Sequence, residues 1–174
     1  MLMVEGYLIE YRRYRMIAEK AIAQVDEAGL NRAPCVDGNS IAMIMRHLSG
    51  NLKSRFTNFL TSDGEKPWRN RDREFEEGYY RAAELTQDWD EAWGLIEQIL
   101  AGLTDADLER EVKIRGIGLR VREALNRSVA HVAYHVGQIT LLARIDQQDA
   151  WQWISVPKGG SAAYNQNPTK ERLP

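Results

Sequence analysis

Apolar side chains recur with helical spacing in four stretches of this chain. In the first, Tyr7, Tyr11, Tyr14, Ala18, Ala21 and Val25 follow i, i+4, i+7 spacing. That predicts an amphipathic helix whose tyrosines pack inward, closed by Gly29 and Pro34. A second helix is predicted from Ser40, an N-cap following Asp37-Gly38-Asn39. Its apolar stripe is Ile41, Ile44, Met45, Leu48, Leu52, Phe56 and Phe59. His47 stands off that stripe, with Gly50, Asn51, Ser54 and Asn58 on a small, polar face that leaves room for another backbone or a ligand. The third helix is predicted to open at Asp88 as N-cap with Glu91 three residues on, a capping box. Ala92, Trp93, Ile96, Ile99, Leu100 and Leu103 form its buried face. The fourth runs from Val121 to Ile145, with Val121, Leu125, Val129, Val132, Val136, Ile139, Leu142 and Ala143 nearly encircling it, the mark of a central helix.

The stretches between carry their own signals. Thr61 to Leu85 is a long connection with Gly64, Pro67, Trp68 and the run Arg69-Asn70-Arg71-Asp72-Arg73. In a helical protein a connection of this length fits an overhand crossover between two helices that run parallel. Its arginines either meet an anionic substrate or are solvated, and alternating charge favours solvation. Thr104-Asp105-Ala106-Asp107 reads as a short separate turn, and Val112 to Leu119, around Gly116 and Gly118, as a small hairpin. Asp146 to Pro174 reads as an irregular tail. No internal repeat or low-complexity segment is present, and the expectation is one all-α domain over residues 1–174.

Composition narrows the partners. Charged residues make up 28% and hydrophobic residues 44%, an ordinary globular balance. The net charge of −2 supplies no basic excess for nucleic acid. Glu5, Glu10, Arg12 and Arg13 interrupt the N-terminal segment, so neither a signal peptide nor a membrane span is expected there. The single cysteine, Cys35, allows no intramolecular disulfide. A cytoplasmic location is the resulting expectation.

The chain has three histidines. His131 and His135 are spaced i, i+4, which on a helix separates them by about 40° and one turn and aims both imidazoles at one point. Gln138 follows on the same side, placed to orient one of them. Two histidines so spaced are also found satisfied separately by hydrogen bonds. The zinc-protease pattern is excluded, because Val132 stands where a glutamate is required. If the fold brings His47 of the second helix to this pair, a three-histidine site with an open fourth position results, the pattern of catalytic metal centres. Cys35 reads as a loop thiol, and Lys158-Gly159-Gly160-Ser161 lacks the strand that a phosphate loop needs.

Two segments carry a family likeness: Arg46-His47-Leu48-Ser49-Gly50-Asn51, and the ten residues from Ala130 to Ile139 with His131, His135, Gly137 and Gln138. With Ile114-Arg115-Gly116 and the stretch from Trp153 to Gly159, they resemble the DinB-like metalloenzyme superfamily, including the YfiT-type bundles, over nearly the whole chain. (An unrelated DNA polymerase shares the name.) The resemblance implies a four-helix bundle with a long crossover between helices two and three, and homodimers. It implies a divalent metal (Zn, Ni, Fe or Mn) held by His47, His131 and His135. Characterised members of that superfamily include bacterial transferases and isomerases that use low-molecular-weight thiols such as bacillithiol, mycothiol or glutathione.

Two functional classes follow. The first is a metal-dependent enzyme, with thiol transfer to an electrophilic small molecule ahead of hydrolysis. In it Asn51 and Gln138 orient ligands, and Arg127 or the Arg69–Arg73 run holds an anionic group. No catalytic residue is assigned. The second is a non-catalytic dimeric bundle of a stress response, with a structural metal or a bound ligand. A third reading keeps the histidines as ordinary buried residues without metal.

Overall fold

A computed structural model describes residues 2–169. The fold is mostly helical: α1 (Met3–Ile22), α2 (Glu27–Asn31), α3 (Ile41–Phe56), α4 (Ala82–Gly102), α5 (Val121–Gln147) and α6 (Ser161–Gln166). One antiparallel pair, β1 (Glu111–Ile114) and β2 (Ile117–Arg120), precedes α5. The four long helices bury their stripes on one another, with α1 against α4 and α5, and α3 against α4 and α5. At their meeting Tyr11 is fully buried, its ring edge-on to Phe56 at 6.2 Å and to Trp93 at 6.3 Å. A buried aromatic of this size contributes roughly 4–6 kcal/mol by area. Tyr7 sits at the margin, where its hydroxyl donates to Asn126 Oδ1 at 2.8 Å and ties α1 to α5.

Local chemistry sets the helix ends, twice against expectation. α1 stops at Ile22, well before Gly29. Asp26 caps a separate short helix by accepting from the Gly29 amide at 2.7 Å, so Gly29 lies inside α2 instead of ending α1. Ser40 caps α3 as expected, accepting from Met43 N at 3.2 Å. Every residue of the α3 stripe from Ile41 to Phe59 is buried. Asn58, expected on the polar face of the helix, lies past its end in the left-handed region at φ 50°, which asparagine tolerates. Asp88 is no N-cap. α4 begins at Ala82, because Leu85 and Trp89 extend the buried stripe of Ala92, Trp93 and Ile96 backwards. Asp88 flanks that stripe and pairs with Lys53 of α3, the helix on which α4 packs. Past α5 the tail is not wholly irregular, since α6 and a 3-10 turn at Gln148–Ala150 punctuate it.

The long connection spans residues 57–81 and is pinned at both ends. Arg115 and Gly116, the two central residues of the hairpin turn, have φ of 55° and 75°, both left-handed as a tight two-residue turn requires. Asp63 clamps that turn, accepting from the amides of Glu65 (2.7 Å), Arg115 (2.8 Å) and Gly116 (2.7 Å). These bonds hold its carboxyl down at about 2. Further on, a 3-10 turn at Asp72–Phe75 packs onto α3 beside His47. Among the described residues no helix is long and apolar enough to cross a membrane.

Candidate functional site

α3 and α5 each present a polar stripe to a shared cleft. On α3 it is His47, Asn51 and Arg55; on α5 it is Arg127, His131, His135 and Gln138. Spacing of three or four residues keeps each set on one face. The packing of α3 on α5 brings the three histidines together, one nitrogen of each lying within 4.8 Å of the others. His47 Nε2 and His131 Nε2 are 3.1 Å apart. The ring centroids stand 4.6–5.1 Å apart.

The outward nitrogens of two of these rings are fixed. His47 Nδ1 donates to Glu74 Oε2 at 2.8 Å, and His135 Nδ1 donates to Gln138 Oε1 at 2.7 Å. Since each acceptor carries no proton there, Nδ1 is the donor in both rings and Nε2 is the nitrogen left for the cleft. Glu74 is itself held by Arg69, whose Nε and terminal nitrogen reach its two oxygens at 2.8 and 2.9 Å. Phe75 lies against the His47 ring at 4.7 Å. Gly50 makes this approach possible, because a Cβ there would collide with the Glu74 carboxylate. The small face of α3 thus admits a carboxylate from the connection.

Burial keeps the His131 and His135 imidazoles neutral. Burial first, then His135, His47, Arg69 and Arg55, push His131 down to about 3. Burial and His47 push His135 down to about 4, with the Gln138 bond opposing. Burial pushes Glu74 up, but hydrogen bonds from His47 and Arg69 outweigh it and leave the carboxyl below its usual range. Glu74 therefore stays ionised behind the His47 ring.

This donor set suits a divalent transition ion. Neutral imidazole is the ligating form, and each ring has a nitrogen free of other protein partners: His47 Nε2 meets only His131, and His135 Nε2 meets none. His131 Nδ1 is buried with no hydrogen-bond partner. Nitrogens sharing one ion at 2.0–2.1 Å lie about 3.0–3.5 Å apart, a spacing that the His47–His131 pair already has. The carboxylate–histidine and amide–histidine bonds are the outer contacts that hold such ligands in register.

The cleft over the histidines has a volume of about 610 Å³, and Asn51, Arg127 and Gln138 line it together with the three histidines. The arginine run divides. Arg71 and Arg73 are exposed, as expected of alternating charge, while the Arg69 side chain is only 2% exposed in its pair with Glu74. Solvation fails for Arg69 because a buried carboxylate competes with water. Cys35 is exposed in a loop away from the site. Glu74 and Phe75 gave no sign in the sequence beyond the small face around Gly50, and Arg69 was legible only as one of the Arg69–Arg73 run.

Residues 3–160 match the model of a family, DUF1572, described as a protein of unknown function. No curated protein and no solved structure matches the chain.

Proposed function

We propose a function for this chain, which belongs to the DUF1572 family, from the site itself: a metal-dependent enzyme acting on a small molecule, with the ion held by His47, His131 and His135. The observation that carries it is the convergence of three imidazoles, two of them oriented from behind by Glu74 and Gln138. The chemistry that a zinc, nickel, iron or manganese ion supplies there is Lewis acidity, which keeps a thiol or water deprotonated near neutral pH. The protein's own groups do the rest. Glu74 and Gln138 fix the ring orientations, Asn51 offers an amide to an incoming ligand, and Phe75 shields the His47 ring from water. Transfer of a low-molecular-weight thiol to an electrophile is the reaction class we assign.

The same reading places the chain with the DinB-like bundles: one domain, four long helices, and residues 57–81 as the crossover. It also makes the protein a cytoplasmic homodimer. Tyr134, Leu141 and Ile145, exposed on one face of α5, support association with a second copy.

The test is a turnover screen of metal-loaded protein with thiols paired with electrophiles, beside His135→Ala. Thiol consumption that depends on His135 supports the proposal, and identical rates for wild type and variant overturn it.

A further inference from the structure

The cleft above the histidines has a one-sided charge. Arg55, Arg69, Arg71, Lys113, Arg115 and Arg127 all line it, and among the described residues no carboxylate does. Four of these cations are accounted for. Arg55 and Arg115 share Glu65 at 3.1 and 3.0 Å, Arg69 is committed to Glu74, and Arg71 lies over the Phe75 ring at 5.0 Å. The Arg127 side chain has no ion pair or hydrogen bond among the described residues and lines the cleft, whereas Lys113 alternates with Ile114 on β1, so its ammonium leaves the face of the hairpin opposite Ile117 and Leu119. Arg127 stands one turn before His131 on α5, about 6 Å along the helix axis. The net charge of the chain is −2, so this local excess of positive charge runs against the whole. Beside the cations the lining turns apolar, with Phe59, Ile117 and Leu119. Ile117 is 65% exposed, an apolar side chain left uncovered at the mouth of a basic cleft.

We propose that the cleft binds an amphipathic small-molecule anion, its carboxylate or phosphate taken by Arg127 and its apolar body lying along Phe59, Ile117 and Leu119. A guanidinium free of protein partners gives up no existing pair when an anion arrives, and a charge-assisted bond to it is stronger than a neutral one. The apolar strip then sets the preference for anions that carry a hydrophobic portion. As a statement about substrate, this rests on the metal-centre reading, since the cleft opens onto the histidines. As a statement about binding, it does not need the ion.

The experiment is therefore run on metal-free protein, by calorimetric titration with phenyl phosphate, phenylacetate, phenylacetamide and inorganic phosphate. Both aromatic anions are expected to bind about tenfold or more tighter than the neutral amide and than inorganic phosphate. The variant Arg127→Gln is expected to lose about tenfold for the anions and nothing for the amide. The control Arg110→Gln, outside the cleft, keeps wild-type affinity. Equal binding of phenylacetate and phenylacetamide by the wild type overturns the proposal without any variant, and so does wild-type anion affinity in Arg127→Gln. Metal analysis of the same sample separates the two readings. Anion binding in a protein that takes up no ion refutes the metal centre alone, and ion uptake without anion preference refutes this inference alone.

Discussion

His47 Nδ1 donates to Glu74 Oε2 at 2.8 Å, across 27 residues of chain. The contact joins a helix to the middle of an irregular connection, and it is closed on its far side by Arg69. A buried carboxylate behind an imidazole fixes the ring and raises its basicity as a ligand. Glu74→Gln keeps the shape and removes the charge, so metal affinity is expected to fall about 10–100-fold. Competition with a chelating dye measures it. Unchanged affinity removes Glu74 from the site. Glu74→Ala also strands the buried Arg69 and is expected to cost about 3–5 kcal/mol in a denaturant melt.

Gly50 tests the same contact from the helix side. Gly50→Ala adds only a methyl group and is mild for a helix, where alanine is favoured by about 1 kcal/mol. Here the methyl group meets the Glu74 carboxylate. Net destabilisation is expected, together with weaker metal binding. A variant that melts higher than wild type would show that Glu74 has room to retreat.

The pH dependence follows from the two depressed histidines. Their folded values, about 3 for His131 and about 4 for His135, lie below the unfolded value near 6.5. Between those limits the unfolded chain binds more protons, so metal-free stability falls as pH drops below about 6.5, until His131 itself titrates near 3. Melting temperatures of chelated protein from pH 7.5 to 4.5 are expected to decline. In His131→Gln the decline is expected to be shallower. A wild-type melting temperature that stays flat across the range contradicts the neutral assignment.

Gln138 supports His135 with one amide oxygen. Gln138→Ala is expected to weaken metal binding about tenfold while leaving the melt of metal-free protein within about 1 kcal/mol. Loss of fold instead of affinity would assign Gln138 a packing role.

Much of the frame was legible because its signals are local. Ser40 announced α3, the weak alternation around Gly116 and Gly118 announced the hairpin, and i, i+4 spacing placed His131 and His135 on one face. Asp88 misled because an acid three residues before another acid mimics a cap, while the stripe through Leu85 and Trp89 carried the helix further back. Asp26 likewise started a separate short helix where the first helix was expected to run on to Gly29. Glu74 was invisible. Its partner is distant in sequence, and a carboxylate in an aperiodic, charge-rich segment looks like any solvated one. Arg69 was misjudged for the same reason, since only the fold reveals that a buried acid awaits it.

The most direct test is the metal content of untagged protein, reloaded with zinc, nickel, iron or manganese and desalted, beside His47→Ala, His131→Ala and His135→Ala. The three-histidine centre requires about one ion per chain in the wild type and little in each variant. A wild type that retains no ion under any loading, or variants that retain as much as it does, would contradict the account.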